Sequence, residues 1–232
     1  MPPLAQGVDA FPRLEAGATA AVTAKINMAL DKDEAQMRAA LQQCFADAEG
    51  NGDWSRTVTV TMAGPYFLSL VARDSYSCGG PHPADGAFAL VFSLKTGAPV
   101  NLAELLPGLK LKAVYDTAAD GSKIQTITSP ELKALYLRLR SKDPGTSCNE
   151  ELESGYLLFI AWPESKSGNL ILEPEDLPQA VAACGNDVAL GIDILKSVQA
   201  APVLLEALSA RRQARSPADF PSPSGRSGND GE

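Results

Sequence analysis

Histidine is almost missing from this chain: His82 is the only one. One imidazole cannot complete a usual zinc set, and none of the four cysteines lies in a C-x-x-C pair, so no metal centre is expected. Positive charge is also short, with 20 Lys and Arg against 28 Asp and Glu and a formal net charge of -8. A chain this acidic repels phosphate backbones, which argues against nucleic acid as a partner. No run of about 18 apolar residues occurs, so no membrane-spanning helix is expected. No charged, apolar and cleavage regions of a signal peptide are recognisable at the start of the sequence. Aromatic residues are only 6%, which places most of them in a core. No cofactor-binding pattern is read from the sequence, and none is expected.

What is present is apolar material in a recognisable order. Of 232 residues, 45% are apolar, enough for one sizeable core. The end of the chain is different, rich in Pro, Ser and Gly and nearly free of aliphatics. Such a segment buries too little to offset the entropy of ordering it. We therefore read residues 1–10 as a leader or linker, 11–212 as an α+β domain, and 213–232 as a disordered tail. Arg211, Arg212 and Arg215 at the junction read as a solvated helix end, where cations suit the helix dipole.

Ala18, Val22, Ile26 and Leu30 recur at every fourth residue and predict a helix, with Asn27 interrupting its stripe. Asp31 or Asp33 reads as the cap of a second helix carrying Met37, Ala40, Leu41 and Cys44. After Gly50-Asn51-Gly52 the period changes to two. Val58, Val60 and Met62 alternate with threonines, and two further strands follow around Leu68-Ser69-Leu70 and Phe88 to Leu94. Three β runs this close predict an antiparallel meander. Asn101 caps a short helix from Leu102 to Leu106, and Ser129-Pro130 opens another carrying Leu132, Leu135, Tyr136 and Leu139. Residues 108–128 carry no clear period. Tyr156 to Trp162 reads as a buried strand paired with Asn169 to Leu172. A short helix from Leu177 to Cys184, a strand from Val188 to Ile194 and a helix from Pro202 to Arg212 complete the order. The layout is α+β: antiparallel sheets with packed helices in a single domain.

The cysteines Cys44, Cys78, Cys148 and Cys184 all fall at element ends or in loops, which suits disulfides in an oxidising compartment. Three connectivities are open, and Cys44–Cys78 with Cys148–Cys184 is the preferred one, because each closes a similar loop in one half of the chain. The expected location is accordingly periplasmic or extracellular.

The richest segment is the Gly79-Gly80-Pro81-His82-Pro83 connection between two apolar strands. Histidine as a residue type titrates near neutrality, which makes His82 the obvious candidate base, but Ser69, Ser75 and Ser77 nearby lie in no Gly-x-Ser-x-Gly elbow. The structural reading is preferred: Gly79 and Gly80 supply unusual backbone angles, the prolines stiffen the turn, and His82 hydrogen-bonds it. With Tyr76, the aromatic residue expected to be best exposed, these residues form the candidate binding site. Carboxylates cluster at Asp31/Asp33/Glu34, Glu150/Glu151/Glu153 and Glu173/Glu175/Asp176. They read as helix caps and solvated faces, although a pair of them could cleave a glycoside if the fold brought them together.

Several ordered motifs resemble a known family. Phe11-Pro12-Arg13-Leu14 precedes a helix with Ile26-Asn27-Met28-Ala29-Leu30. Then come Leu68-Ser69-Leu70, the Gly79–Pro83 connection, Phe92-Ser93-Leu94-Lys95-Thr96-Gly97, and the Asn101–Leu106 helix. The set resembles the extracytoplasmic domain of unknown function found in the lysozyme-sensing anti-sigma-V factor and beside some peptidoglycan deacetylase domains. The match covers residues 11–106 and holds in order only at 155–195. The four cysteines depart from the pattern of the lysozyme sensor. The resemblance implies an exported cell-envelope binding module whose ligand is a lysozyme-like protein or peptidoglycan, with no catalytic residues to carry over. The alternatives are a cell-wall hydrolase using His82 or an acidic pair, and a purely structural envelope protein.

Overall fold

A computed structural model describes residues 2–80, 82–140, 148–175, 177 and 184–210, with backbone alone for Cys148, Asn149 and Glu151. The tail expected at 213–232 lies outside them, as do Arg211 and Arg212, Pro81, and all of the expected Leu177–Cys184 helix except its two end residues.

The first element is one helix, α1 (Ala20–Asp47), not two. Thr19 caps it, its hydroxyl accepting from the Val22 amide. The polar residues that looked like a break are used by tertiary contacts. The Asn27 amide accepts from Leu14 N at 2.9 Å and donates to Leu14 O at 3.0 Å. Glu34 accepts from Phe11 N at 2.9 Å and from Arg13 at 2.8 Å, while Arg13 also holds Asp31. The segment before the helix is thereby strapped to it, and the buried stripe runs unbroken through Ile26, Leu30, Glu34, Met37, Leu41 and Cys44.

The meander forms as expected: β1 (Asp53–Ala63), β2 (Phe67–Ser77) and β3 (Ala84–Ser93) are antiparallel, with β2 central. Its two faces are both buried because two different partners cover them. Leu68, Leu70 and Ala72 join Ile26 and Leu30 of α1, with Phe88 and Phe92 of β3. Phe67 and Val71, on the opposite face, join a core shared with the second half of the chain. Burying each large aliphatic contributes about 1.5–3 kcal/mol.

That second half is a five-stranded antiparallel sheet in sequential order. Before it, α2 (Leu102–Leu105) is capped by Asn101, whose side chain accepts from Ala103 N. The stretch without a clear period is a hairpin, β4 (Lys112–Thr117) and β5 (Lys123–Thr128). Then α3 (Pro130–Leu139) starts at Ser129, whose hydroxyl accepts from Leu132 N at 2.9 Å. α4 (Cys148–Ser154), β6 (Leu158–Glu164) and β7 (Asn169–Glu175) follow. The strand expected over 188–194 is shorter. β8 (Val188–Leu190) stops at Gly191, which caps α5 (Ile192–Ser197), and α6 (Pro202–Ser209) ends the described chain. Leu132 and Leu135 of α3, Leu195 of α5 and Leu204 of α6 pack into the same core as Phe159 and Leu172. The fold is α+β with antiparallel sheets.

Cys44 and Cys78 are disulfide-bonded, joining the end of α1 to the end of β2. This is the one bridge described in full. Cys184 is no free thiol, and the other cysteine of the expected Cys148–Cys184 pair has its side chain outside the described residues. Residues 1–10, expected to be a leader or linker, are partly built into the fold. Val8 is fully buried and bridges in parallel to Arg56, whose amide donates to Gly7 O at 2.9 Å while its carbonyl accepts from Asp9 N at 3.1 Å.

Candidate functional site

The candidate residues chosen from the sequence sit at one end of the meander, and their roles divide. Gly79 has φ +85, and a Cβ there would meet the Asp47 carbonyl oxygen at 3.0 Å. Gly80 does not share the left-handed conformation, and its nearest neighbour would lie at 3.9 Å. The need for glycine is therefore Gly79's. We expect Gly79→Val to cost about 1–2 kcal/mol through backbone strain, and Gly80→Val well under half of that, in urea unfolding. Equal losses would show that the turn, not the φ angle, sets the requirement.

His82 is exposed, and among the described residues no hydrogen bond reaches its ring. Tyr76 is not exposed as expected. It is half-buried and stacked on Trp54 with ring centroids 4.6 Å apart. Burial first, then the charges of Asp74 and Asp85, push its hydroxyl pKa up. The most exposed tyrosines among the described residues are instead Tyr115 and Tyr156, at 68% and 74%.

Beside this end of the meander the fold forms an open cleft of about 640 Å³ between the two sheets. Ser55, Thr57, Arg73 and Ser75 come from β1 and β2, Asp85 from β3, Asp116 from the β4–β5 hairpin, and Glu173 and Glu175 from β7. Arg73 crosses between the sheets: its Nη1 donates to Glu173 Oε1 at 2.7 Å, and its guanidinium lies 5.9 Å from the Trp162 ring centroid. The bond to Glu173 raises the Arg73 pKa against the opposing effect of burial. Asp85 and Asp116 are exposed. Besides Arg73 and apolar groups such as Ile124, Leu158 and Leu177, the walls carry hydroxyls and carboxylates, which suit a ligand carrying amino or guanidinium groups. Among the described residues, no group of three or more His, Cys, Asp or Glu side chains is placed to hold a metal ion. Of the three sequence clusters of carboxylates, Glu173 and Glu175 alone reach the cleft among the described residues; Asp85 and Asp116 were not singled out from the sequence.

Behind the cleft lies a buried ionic cluster. Arg56, fully buried on β1, donates through Nε and Nη2 to Asp74 at 2.7 and 2.6 Å and through Nη2 to Asp120 at 2.7 Å. Trp54 Nε1 also donates to Asp74 at 2.9 Å. Burial alone would lower the Arg56 pKa, but the bonds and charges of both carboxylates outweigh it and hold the pKa above the usual value. Asp120 sits in the β4–β5 turn, and the same turn accepts at Gly121 O from Gln36 of α1 at 2.9 Å. The cluster therefore fixes the hairpin that supplies Asp116 to the cleft. A buried arginine in the middle of a strand gives no warning in the sequence, because lone charges there usually face water.

No protein-family model matches the sequence, and neither does any curated protein.

Proposed function

We propose that the chain is an exported cell-envelope module that works by binding, with a basic protein such as a lysozyme as its ligand. The observation that carries this reading is the open cleft with Asp85, Asp116, Glu173 and Glu175 on its walls, in a chain of net charge -8. A field of one sign steers an oppositely charged partner and sets its orientation. The Cys44–Cys78 bridge supports an oxidising compartment, periplasmic or extracellular, and no helix among the described residues is long and apolar enough to cross a membrane. The ordered motifs from Phe11 to Leu106 support the same reading through their resemblance to the lysozyme-sensor domain.

The test is a binding titration with lysozyme at low and physiological salt, alongside soluble peptidoglycan fragments. We expect saturable lysozyme binding that weakens with salt and falls roughly 10-fold or more in Asp85→Asn/Asp116→Asn, about 0.7 kcal/mol or more for each charge lost. Saturable binding of peptidoglycan fragments alone would move the ligand to the second candidate. Turnover of the fragments, abolished by the same two substitutions, would replace the binding reading with a hydrolase using an acidic pair.

A further inference from the structure

A second cavity, of about 320 Å³, lies between α1, β3 and the β4–β5 hairpin, and shares only Ile124 with the lining of the acidic cleft. Its size falls at the lower end of small-ligand sites, roughly 300–1,000 Å³. Most of its wall is apolar: Ala29 of α1, Val91 and Phe92 of β3, Val100, Leu102 and Ile124. Gln125 is committed to holding that wall in place. Its Oε1 accepts from Leu102 N at 3.2 Å, and its Nε2 donates to the Tyr115 hydroxyl at 3.0 Å. The Tyr115 ring lines the cavity yet stays 68% exposed, an aromatic surface that the fold itself does not cover.

The polar groups at this cavity are of the opposite sign to those of the acidic cleft. Lys32 and Lys123 both line it. Lys123 donates to a neutral group, the Thr117 hydroxyl, at 2.6 Å. Neither lysine is in a salt bridge among the described residues. The one carboxylate in the lining is Asp33. Burial first, then the charge of Asp120 in the hairpin turn, push the Asp33 pKa up to about 6, against the pull of Lys32 beside it on α1 and Arg56 on β1. Below about pH 6 its negative charge is given up, which leaves two ammonium groups over an apolar floor in an otherwise acidic protein.

We propose that this cavity binds a small amphiphile with one anionic head and an apolar body. Lys32 and Lys123 hold the head, and Phe92, Val100, Leu102 and Ile124 receive the body. An apolar wall alone would take any hydrophobic molecule; the two ammonium groups make the site selective for an anion, because a charge-assisted contact is stronger than a neutral one. Asp33 sets the pH dependence. As pH falls through about 6 it takes a proton, its repulsion of the head disappears, and affinity rises.

The experiment is a calorimetric titration of the full chain with hexane-1-sulfonate, which stays anionic throughout, and with hexan-1-ol as the neutral counterpart. Hexane-1-sulfonate should bind saturably and at least roughly 10-fold more tightly than hexan-1-ol, the gap expected when a contact gains a charge. Lys32→Glu/Lys123→Glu should lose at least that factor, with the thermal midpoint checked in parallel. Asp33→Asn should remove the difference between roughly pH 5 and pH 8, on either side of a carboxyl titrating near 6. Methyl resonances of Val91, Val100, Leu102 and Ile124 in the unaltered chain should shift on titration, which carries the test even if the charge-reversed variant does not fold. Equal affinity for hexan-1-ol, unchanged binding by a folded charge-reversed variant, methyl shifts confined to other residues, or no saturable binding would each overturn the proposal.

Discussion

Arg56→Met should lower stability by about 3–5 kcal/mol, the loss expected when one partner of a buried ion cluster is removed. Methionine replaces the aliphatic stem but not the guanidinium, which makes every charged contact to Asp74 and Asp120 and lies over the rings of Phe88 and Phe11 at 5.2 and 5.8 Å. Two carboxylates with almost no exposure would then face each other without a counter-ion. The cost of leaving them so is the desolvation of both, which exceeds any packing gained by the methionine. Urea unfolding at pH 7, with Arg56→Met/Asp74→Asn/Asp120→Asn alongside, separates charge from volume. The triple variant should recover much of the loss at neutral pH, because its buried groups are no longer ionised. A single-variant loss below about 1 kcal/mol at pH 7 would mean that water reaches the cluster and that it does not anchor the hairpin.

This cluster also marks where the sequence ceased to be readable. The meander was legible because its apolar residues alternate and its ends carry turn residues. The starts of α2 and α3 were legible because Asn101 and Ser129 satisfy helix amides locally, within three residues. Element-end positions suggested disulfides but left three connectivities open, and Cys44–Cys78 was preferred because it closes a loop inside one half of the chain. What failed depended on partners far along the chain. Asn27 and Asp31 look like a break in α1 until Leu14 and Arg13 are seen to use them. The β4–β5 hairpin is largely polar and half-exposed, so its two strands show no clean apolar period. Val188 to Ile194 reads as one strand by composition, whereas Gly191 divides it into a strand and a helix. The acidic cleft was the least readable feature. Asp85, Asp116 and Glu173 lie on three strands in two sheets and meet only through the register of both. No spacing rule along the chain brings them together.

Converting Cys44 and Cys78 together to alanine should cost about 2–5 kcal/mol, with about 4 kcal/mol expected from chain entropy for a bridge spanning 34 residues. The bridge ties the last turn of α1 to the residue after β2, beside the left-handed turn at Gly79. Cys44 is also a packed core residue, in one small cluster with Met37, Leu41, Trp54 and Val8, so alanine adds a local packing loss to the loss of the constraint. The two contributions can be separated by comparing the unaltered protein and the variant under reducing conditions, where the bridge of Cys184 is open in both. The sulfur then stays in place only in the unaltered protein, so the variant should remain the less stable by roughly 1 kcal/mol for the vacated core volume. The denaturant slope should rise in both, because an unfolded chain without the bridge exposes more surface. A loss below about 1 kcal/mol in both would show that the helix and sheet hold this end together unaided, and would remove the strongest support for an oxidising compartment. Partner binding offers an independent reading. Asp116 and Glu173 sit on the second sheet, which does not carry the bridge, whereas Asp85 pairs with Ser75 near the bridged end of β2, so lysozyme binding should weaken but persist at temperatures where the variant remains folded.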